Sequence, residues 1–399
     1  MNNSNDDNPP LILDVRNLSV DYVAPGKPPA HALQNVSFQL RRGEMLGIVG
    51  ESGCGKSTLM LSLMRLLPAA GRIVGGEVNF HGLAAGFSLG SGGSDSSQDL
   101  LNLTEHEMAD VRWKHLSMIF QGAMNALNPV RTVGSQIAEP IARHAMYTTA
   151  ALRPQVQAPP QSDNNQNGQV NGMNRLNPLR TVDSQIAEAI TTHEGVINQR
   201  ILRQRVAELL DLVGINPNRR NQYPHQYSGG MRQRAMIAMA LACNPAVVIA
   251  DEPTTALDVM VQAQILELLA RLREQLGLSV LFVTHDLGVV AEICDSVLVM
   301  YGGVVAEYSD VDTIYNRPRH PYTQELLKAF PDLTHPHTRL ASIPGYPPRL
   351  DALPSGCRFA PRCPAVFARC HTSQPPLYPV EQDHVASCYL VAQERSPHA

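Results

Sequence analysis

The string GESGCGKST, residues 50–58, sets a lysine and two hydroxyl residues behind a glycine-rich loop. Its spacing is Gly, four residues, then Gly-Lys-Ser. Such glycines let the backbone of Gly50, Ser52, Gly53, Cys54 and Gly55 curl so that N–H groups face an anion, with Lys56 reaching the β- and γ-phosphates of a nucleotide. Ser57 is then placed to coordinate Mg²⁺, with Thr58 beside it. A second string, AVVIADEP, ends an apolar run on Asp251 and Glu252. Two carboxylates at the carboxyl end of a buried parallel strand stand where ligands bind in such sheets, so Asp251 can hold a metal and Glu252 can polarise an attacking water. A third set is Cys357, Cys363, Cys370 and Cys388, four of the seven cysteines, separated by five, six and seventeen residues. In a chain whose thiols stay reduced, that cluster reads as a metal or iron–sulfur site before it reads as disulfides.

These residues need elements to hold them. LILDVRNLSVDYV and VSFQL carry the alternating apolar residues of half-buried strands. EMLGIVG runs directly into the glycine loop, and Leu59, Met60, Leu63, Met64 and Leu67 then recur at helical spacing, which predicts a helix from Gly55 to about Leu67. KHLSMIF, AVVIA, SVLFV and SVLVM are short apolar runs typical of strands buried on both faces, with helical patterns between them. The alternation predicts an α/β fold with a mostly parallel sheet covered by helices.

Composition narrows the function. The chain has 399 residues, 44% apolar and 17% charged, with 32 basic against 36 acidic side chains and a net charge of −4. Near-neutrality without a basic tract argues against nucleic acid as a partner. The polar start MNNSNDDNPP does not read as a signal peptide, and no run of about 18 apolar residues occurs, so the expectation is a chain that neither spans a membrane nor is secreted. Residues 85–98 and about 146–174 are rich in Gly, Ser, Pro, Asn and Gln and are expected to be mobile surface loops. The second adjoins a duplication: ALNPVRTVGSQIAEPI (126–141) returns as RLNPLRTVDSQIAEAI (175–190), shifted by 49 residues with 12 of 16 positions identical. Only one copy can occupy the framework position, and the sequence leaves open which.

With the phosphate loop and the carboxylate pair comes YSGGMRQR, residues 227–234. The combination resembles the ATP-binding cassette (ABC) family, whose signature reads LSGGQ; Tyr227 and Met231 stand here for the leucine and the glutamine. The resemblance implies a P-loop NTPase cassette: a RecA-like core sheet with helices, an antiparallel β subdomain and a helical signature subdomain. It implies ATP and Mg²⁺, with Gln121 as the Q-loop residue contacting Mg²⁺ and the attacking water. Asp258 matches the D-loop, His285 the switch histidine touching the γ-phosphate, and Tyr22 the aromatic that stacks on adenine. Ser228 opens a helix, so its hydroxyl and the N–H groups of Gly229 and Gly230 form a second anion site. In this family that site faces the nucleotide of a second cassette.

LNP and QIAEPI after the Q-loop, and RPRHPYTQELLKAF and GCRFAPRCP in the tail, resemble ATPase subunits of oligopeptide and dipeptide importers. The organisation implied is a tail at 1–10, an ATP-binding domain over 11–310 and a small Cys-rich C-terminal extension over 311–399. The helical subdomain covers about 122–243, with a mobile insert at about 142–174. Partners implied are two transmembrane permease subunits, a second ABC ATPase subunit of a different sequence and, indirectly, an extracytoplasmic peptide-binding protein, with this chain peripheral on the cytoplasmic face of the inner membrane. Import of nickel or another small solute is the alternative within transport, and a soluble cassette acting on ribosomes or DNA the alternative outside it. For the four cysteines the resemblance places a [4Fe-4S] cluster ahead of Zn²⁺, with unligated thiols third; His371 and His384 are substitute ligands, and Arg358, Arg362 and Arg369 either offset thiolate charge or are solvated.

Overall fold

The computed structural model describes residues 9–82, 97–121, 127–149, 199–329 and 342–395. Strand β1 (Leu11–Tyr22) pairs antiparallel with β2 (Ala30–Arg41), and β3 (Met45–Val49) feeds the glycine loop and helix α1 (Lys56–Leu63). Strand β4 (Gly71–His81) returns beside β1, and β5 (Ser97–Asp99) pairs with β4, so the last residues of the first polar stretch are strand; its residues 85–96 lie outside the described residues. Helix α2 (Glu105–Val111) leads to β6 (Leu116–Ile119). Helices α3 (Val133–Thr149), α4 (Gln199–Leu212) and α5 (Gly229–Ala240) precede β7 (Val247–Asp251), α6 (Val259–Leu276), β8 (Ser279–Val283) and α7 (Leu287–Ile293). The chain continues through β9 (Ser296–Tyr301), β10 (Val304–Asp310), α8 (Val311–Asn316) and α9 (Pro321–Lys328). Helix α10 (Ala368–Thr372), β11 (Tyr378–Glu381), β12 (His384–Ala386) and α11 (Tyr389–Arg395) complete it.

One sheet is antiparallel, in the order β2-β1-β4-β5; the other runs β11-β12-β10-β9-β3-β8-β7-β6. Within the second, β9, β3, β8, β7 and β6 are parallel neighbours, as their unbroken apolar runs predict. Successive residues of those strands enter opposite cores. Leu46, Ile48, Ile249 and Leu281 face the layer made with the antiparallel sheet, while Met45, Val248, Ala250 and Phe282 face the helices. Burial on both faces aligns the carboxyl ends of β3, β6, β7 and β8, where the loops of interest emerge.

Three features depart from the sequence reading. Helix α1 stops at Leu63, because Arg65 takes a φ of 51° and its guanidinium bonds the carbonyls of Leu100 and Leu103; Leu67 still packs on the core but outside the helix. Helix α3 runs to Thr149, past the point where the polar loop was expected to begin. Strands β11 and β12 join the main sheet through β10, with Glu307 opposite Ala386, so the C-terminal residues form one edge of that sheet.

Residues 127–141 of the first copy of the duplicated block are among the described residues. In the first copy Leu127, Val133 and Ile137 are fully buried among α3, α4 and α5. Gln136 closes on Asn128 from both sides, its Oε1 accepting from Asn128 N at 2.8 Å and its Nε2 donating to Asn128 O at 3.1 Å. The first copy therefore holds the framework position; the second lies outside the described residues.

Candidate functional site

The phosphate loop owes its shape to glycine at two positions. Gly50 has φ of 152°, and a Cβ there would stand 2.2 Å from Met300 O; Gly55, at φ 104°, would place one 2.7 Å from Ala32 O. Any side chain would displace backbone, not a flexible tip. Gly55 caps α1, whose first ladder bond is Leu59 N to Gly55 O at 2.9 Å, so the preceding amide groups are the orphan donors of a helix start. Lys56 is buried, its Nζ donating to Gly50 O at 2.6 Å and to Glu51 O at 3.2 Å, with Cys54 Sγ alongside at 3.8 Å. Burial pushes the Cys54 thiol up, so this residue contributes backbone and packing, not a thiolate. Ser52, Gly53 and Ser57 are exposed at the mouth, and the Tyr22 and Thr58 hydroxyls lie 3.3 Å apart, tying the end of β1 to the loop.

Beside the loop, β7 ends on buried Asp251. Burial pushes its carboxyl up, the neighbouring Glu252 charge adds to this, and Lys56 opposes it. Lys56 places a positive charge beside it, and the exposed Ser57 hydroxyl and Asp251 are oxygen donors of the kind Mg²⁺ takes. Glu252 takes a positive φ of 44°, its N–H held by Val283 O at 3.0 Å. A left-handed conformation at a non-glycine residue is uncommon and here aims the carboxylate across the strand ends. Glu252 Oε2 accepts from Gln121 Nε2 at 2.8 Å and from Thr255 Oγ1 at 2.9 Å, and His285 Nδ1 lies 3.4 Å from Oε1. Residues following three separate strands, β6, β7 and β8, thus converge on one carboxylate. Thr255 was not foreseen; the Glu-Pro-Thr-Thr turn places a hydroxyl three residues on, which is the signal that could have found it.

The signature forms a separate surface. Ser228 is the exposed N-cap of α5, its Oγ accepting from Met231 N at 3.3 Å. Tyr227 and Met231, which replace the consensus leucine and glutamine, are bound together through Arg219. Its guanidinium lies over the Tyr227 ring at 5.4 Å, the Tyr227 hydroxyl donates to Arg219 O at 3.1 Å, and Arg219 Nη1 stands 3.1 Å from Met231 Sδ. Gly230 packs against Val261, where a Cβ would come within 2.7 Å of Cγ1. Asp258 caps α6, its Oδ1 accepting from Val261 N at 2.9 Å, next to the exposed apolar Val259 and Met260. Among the described residues no hydrogen bond links Ser228, Gly229, Gly230 or Asp258 to residues 50–58, so the fold does not gather these residues round the loop of their own chain.

Cys357, Cys363, Cys370 and Cys388 line one apolar cavity with Phe359, Phe367 and Tyr389. Burial raises the thiols of Cys357, Cys363 and Cys388, the last to about 11, and the charges of neighbouring cysteines add to it. Among the described residues no three His, Cys, Asp or Glu side chains converge tightly enough to hold a single metal ion. The substitute ligands are not free for this cavity: His384 is buried with Nε2 2.8 Å from Glu307 Oε1, and His371 is exposed. The three arginines are committed too, Arg358 to Gly302 O and Gln34, Arg362 to Glu51, and Arg369 stacked 4.3 Å from the Tyr389 ring centre.

A family model described as ABC transporter matches residues 33–255, and one described as oligopeptide/dipeptide transporter, C-terminal region, matches residues 306–370. The chain is 42% identical over 383 residues to a probable peptide ABC transporter ATP-binding protein of Sinorhizobium fredii, covering 95% of each. It is 38% identical over 380 residues to the dipeptide transport ATP-binding protein of Escherichia coli, covering 95% of this chain and 96% of that one. In fold it is similar to a solved dimeric ATP-binding cassette in a post-hydrolysis state with ADP and Pi, at TM-score 0.53 and 24% identity, covering 75% of this chain and 99% of that one. No helix among the described residues is long and apolar enough to cross a membrane.

Proposed function

The chain belongs to the ABC transporter family, and from that premise we propose that it is the ATP-binding and hydrolysing subunit that energises import of peptides through a membrane permease. The single observation that carries the catalytic assignment is the convergence of Gln121, Thr255 and His285 on Glu252 beside the Lys56 loop. Residues 50–58 bind the triphosphate, Lys56 exchanging its bonds to Gly50 O and Glu51 O for phosphate oxygens, and Tyr22 packs at the adenine side. Ser57, Asp251 and Gln121 would hold Mg²⁺, which when bound draws charge from the phosphate oxygens. Glu252 orients the attacking water and takes its proton, and His285 and Gln121 fix the carboxylate and sense the γ-phosphate.

Ser228, Gly229, Gly230 and Asp258 serve the nucleotide of a second cassette subunit of different sequence. The exposed Val259 and Met260 beside them support a face that is covered on assembly. Two permease subunits complete the machine, with this chain peripheral on the cytoplasmic side of the membrane and a peptide-binding protein acting outside. For the four cysteines we favour a [4Fe-4S] cluster over zinc. Four cysteine thiols lining one apolar cavity are the ligand set that an iron–sulfur cluster takes, and Cys357, Cys363, Cys370 and Cys388 would hold it. Anaerobically purified protein is expected to absorb in the visible and to contain iron; a colourless zinc preparation excludes the cluster.

The test of the catalytic assignment is Glu252→Gln. It should retain ATP binding and lower turnover by roughly 10²- to 10⁴-fold, the span expected for loss of a general base. Hydrolysis at the native rate would remove Glu252 from its role.

A further inference from the structure

Glu51 is the first residue of the phosphate loop after Gly50, and residues far along the chain hold it at both its backbone and its side chain. Its N–H donates to the Tyr322 hydroxyl at 3.0 Å. Its carboxylate receives Arg362 Nη1 at 2.6 Å and Nη2 at 3.0 Å, a two-pronged pair 311 residues apart in sequence. The guanidinium is itself immobilised. Its Nε donates to Pro344 O at 2.8 Å, Nη1 to the Tyr301 hydroxyl at 3.1 Å and Nη2 to Ile343 O at 3.2 Å, leaving the side chain 4% exposed. Tyr301, Tyr322 and Phe359 pack ring to ring with centroids 4.5 to 5.3 Å apart, which fixes the Tyr322 hydroxyl in turn.

A second link runs parallel to the first. Arg358 bonds Gly302 O, and the adjoining Gly303 N–H donates to Cys54 O of the loop at 2.9 Å. Both arginines sit in CRFAPRC, the segment between Cys357 and Cys363.

We propose that Arg362 and Tyr322 are positioning residues of the nucleotide site: they neutralise and orient Glu51, and so set the affinity of the loop for ATP. The physical reason is local charge. A carboxylate left free one residue into a loop built to surround a triphosphate repels the ligand, and a bidentate arginine both cancels that charge and fixes its direction. The Tyr322 hydroxyl accepts the Glu51 N–H, which leaves the later amides of the loop to face the phosphates. Neither residue touches nucleotide; each acts through Glu51. The inference rests on residues 50–58 being the nucleotide loop.

The experiment is a double-mutant cycle on the full chain, read as the Kd for a fluorescent ATP analogue with Mg²⁺ and accompanied by thermal melts. Arg362→Gln should weaken binding about fivefold, while the same change on a Glu51→Gln background should have little effect, since the charge it cancels is gone. Arg362→Lys should recover part of the loss. Equal weakening in both backgrounds, or none in either, overturns the proposal, because a merely structural arginine would act regardless of Glu51. Should Arg362→Gln fail to fold, Tyr322→Phe removes one hydroxyl from a packed ring and should weaken binding about twofold at near-native melting temperature; unchanged Kd there overturns it equally. Lys56→Ala serves as the control for the loop itself: if it binds the analogue as tightly as the native chain, the nucleotide assignment fails and not the clamp alone.

Discussion

Ile137 distinguishes the two copies of the duplicated block. It lies on α3 and is fully buried in the cluster shared with α4 and α5, together with Val133 and Leu127 of the same copy. Ile137→Ala removes about three carbons, at ~0.8 kcal/mol each for transfer, and adds a cavity term of about 1 kcal/mol because packed helices collapse only partly, giving about 3.5 kcal/mol. At the ~2 °C per kcal/mol suited to a chain this long, the melting temperature should fall by about 7 °C. The matched substitution is Ile186→Ala, 49 residues on in an almost identical sequence context. One framework position takes one side chain, so Ile186→Ala should leave the melt within about 1 °C of native. Thermal unfolding of the three proteins under one buffer decides the matter. Equal losses from both substitutions, or a native melt for Ile137→Ala, refute the placement of the first copy. Deleting residues 142–190 leaves one copy of the block, and that protein should remain folded and bind ATP.

Two further perturbations probe the loop and the C-terminal junction. Gly50→Ala puts a Cβ 2.2 Å from the Met300 carbonyl at a φ of 152°, so the loop must shift as a whole; nucleotide affinity should fall at least tenfold and stability by about 2 kcal/mol or more, measured by ligand titration and denaturant melts. His320 is buried with Nδ1 accepting from Tyr322 N at 3.0 Å, and burial lowers its pKa to about 4 from the usual 6.5, only partly offset by the Glu307 charge. A histidine that binds its proton more weakly when folded stabilises the fold above pH 6.5 and loses that contribution as pH falls from 6.5 to 4, here up to about 3 kcal/mol. His320→Gln should flatten the acid limb of stability against pH; an unchanged limb shows that His320 does not set it.

What could be read from the sequence depended on how local the physics is. The strands of the parallel sheet announce themselves because burial on both faces forces unbroken apolar runs, and AVVIA and SVLFV lie within their elements to a residue or two. The phosphate loop is legible for a similar reason: glycine placement and a following helix are properties of ten consecutive residues. Leu67 misled the reading of α1, since its apolar contact survives after Arg65 has turned the chain. Thr255 was missed although its turn is local, whereas the roles of Arg219 and Arg362 could not be read because each acts across space. Arg219 gains its meaning only when Tyr227 and Met231 fold onto it, and Arg362 only when β10 and α9 carry the tail across the loop. His384 looked free as a metal ligand; nothing in its neighbours announces a buried carboxylate 77 residues earlier.

That carboxylate shows why the C-terminal residues belong to the nucleotide-binding sheet and not beside it. Glu307 on β10 is fully buried and accepts from Arg319 N at 2.6 Å, His320 N at 3.0 Å and the His384 ring at 2.8 Å. Burial alone would push such a carboxyl up, yet these donors outweigh it and hold the group below the usual carboxylate range. A buried charge is tolerable only when its acceptor sites are satisfied together, so the start of α9 and strand β12 must be in place at once for Glu307 to remain ionised. The same assembly presents Tyr322 two residues after His320 and brings the segment with Arg358 and Arg362 against the loop. Loosening at Glu307 should therefore appear at the ATP site as well as in the tail: Glu307→Gln is expected to lower melting temperature and nucleotide affinity together, and a variant losing the first while keeping the second would separate the junction from the site.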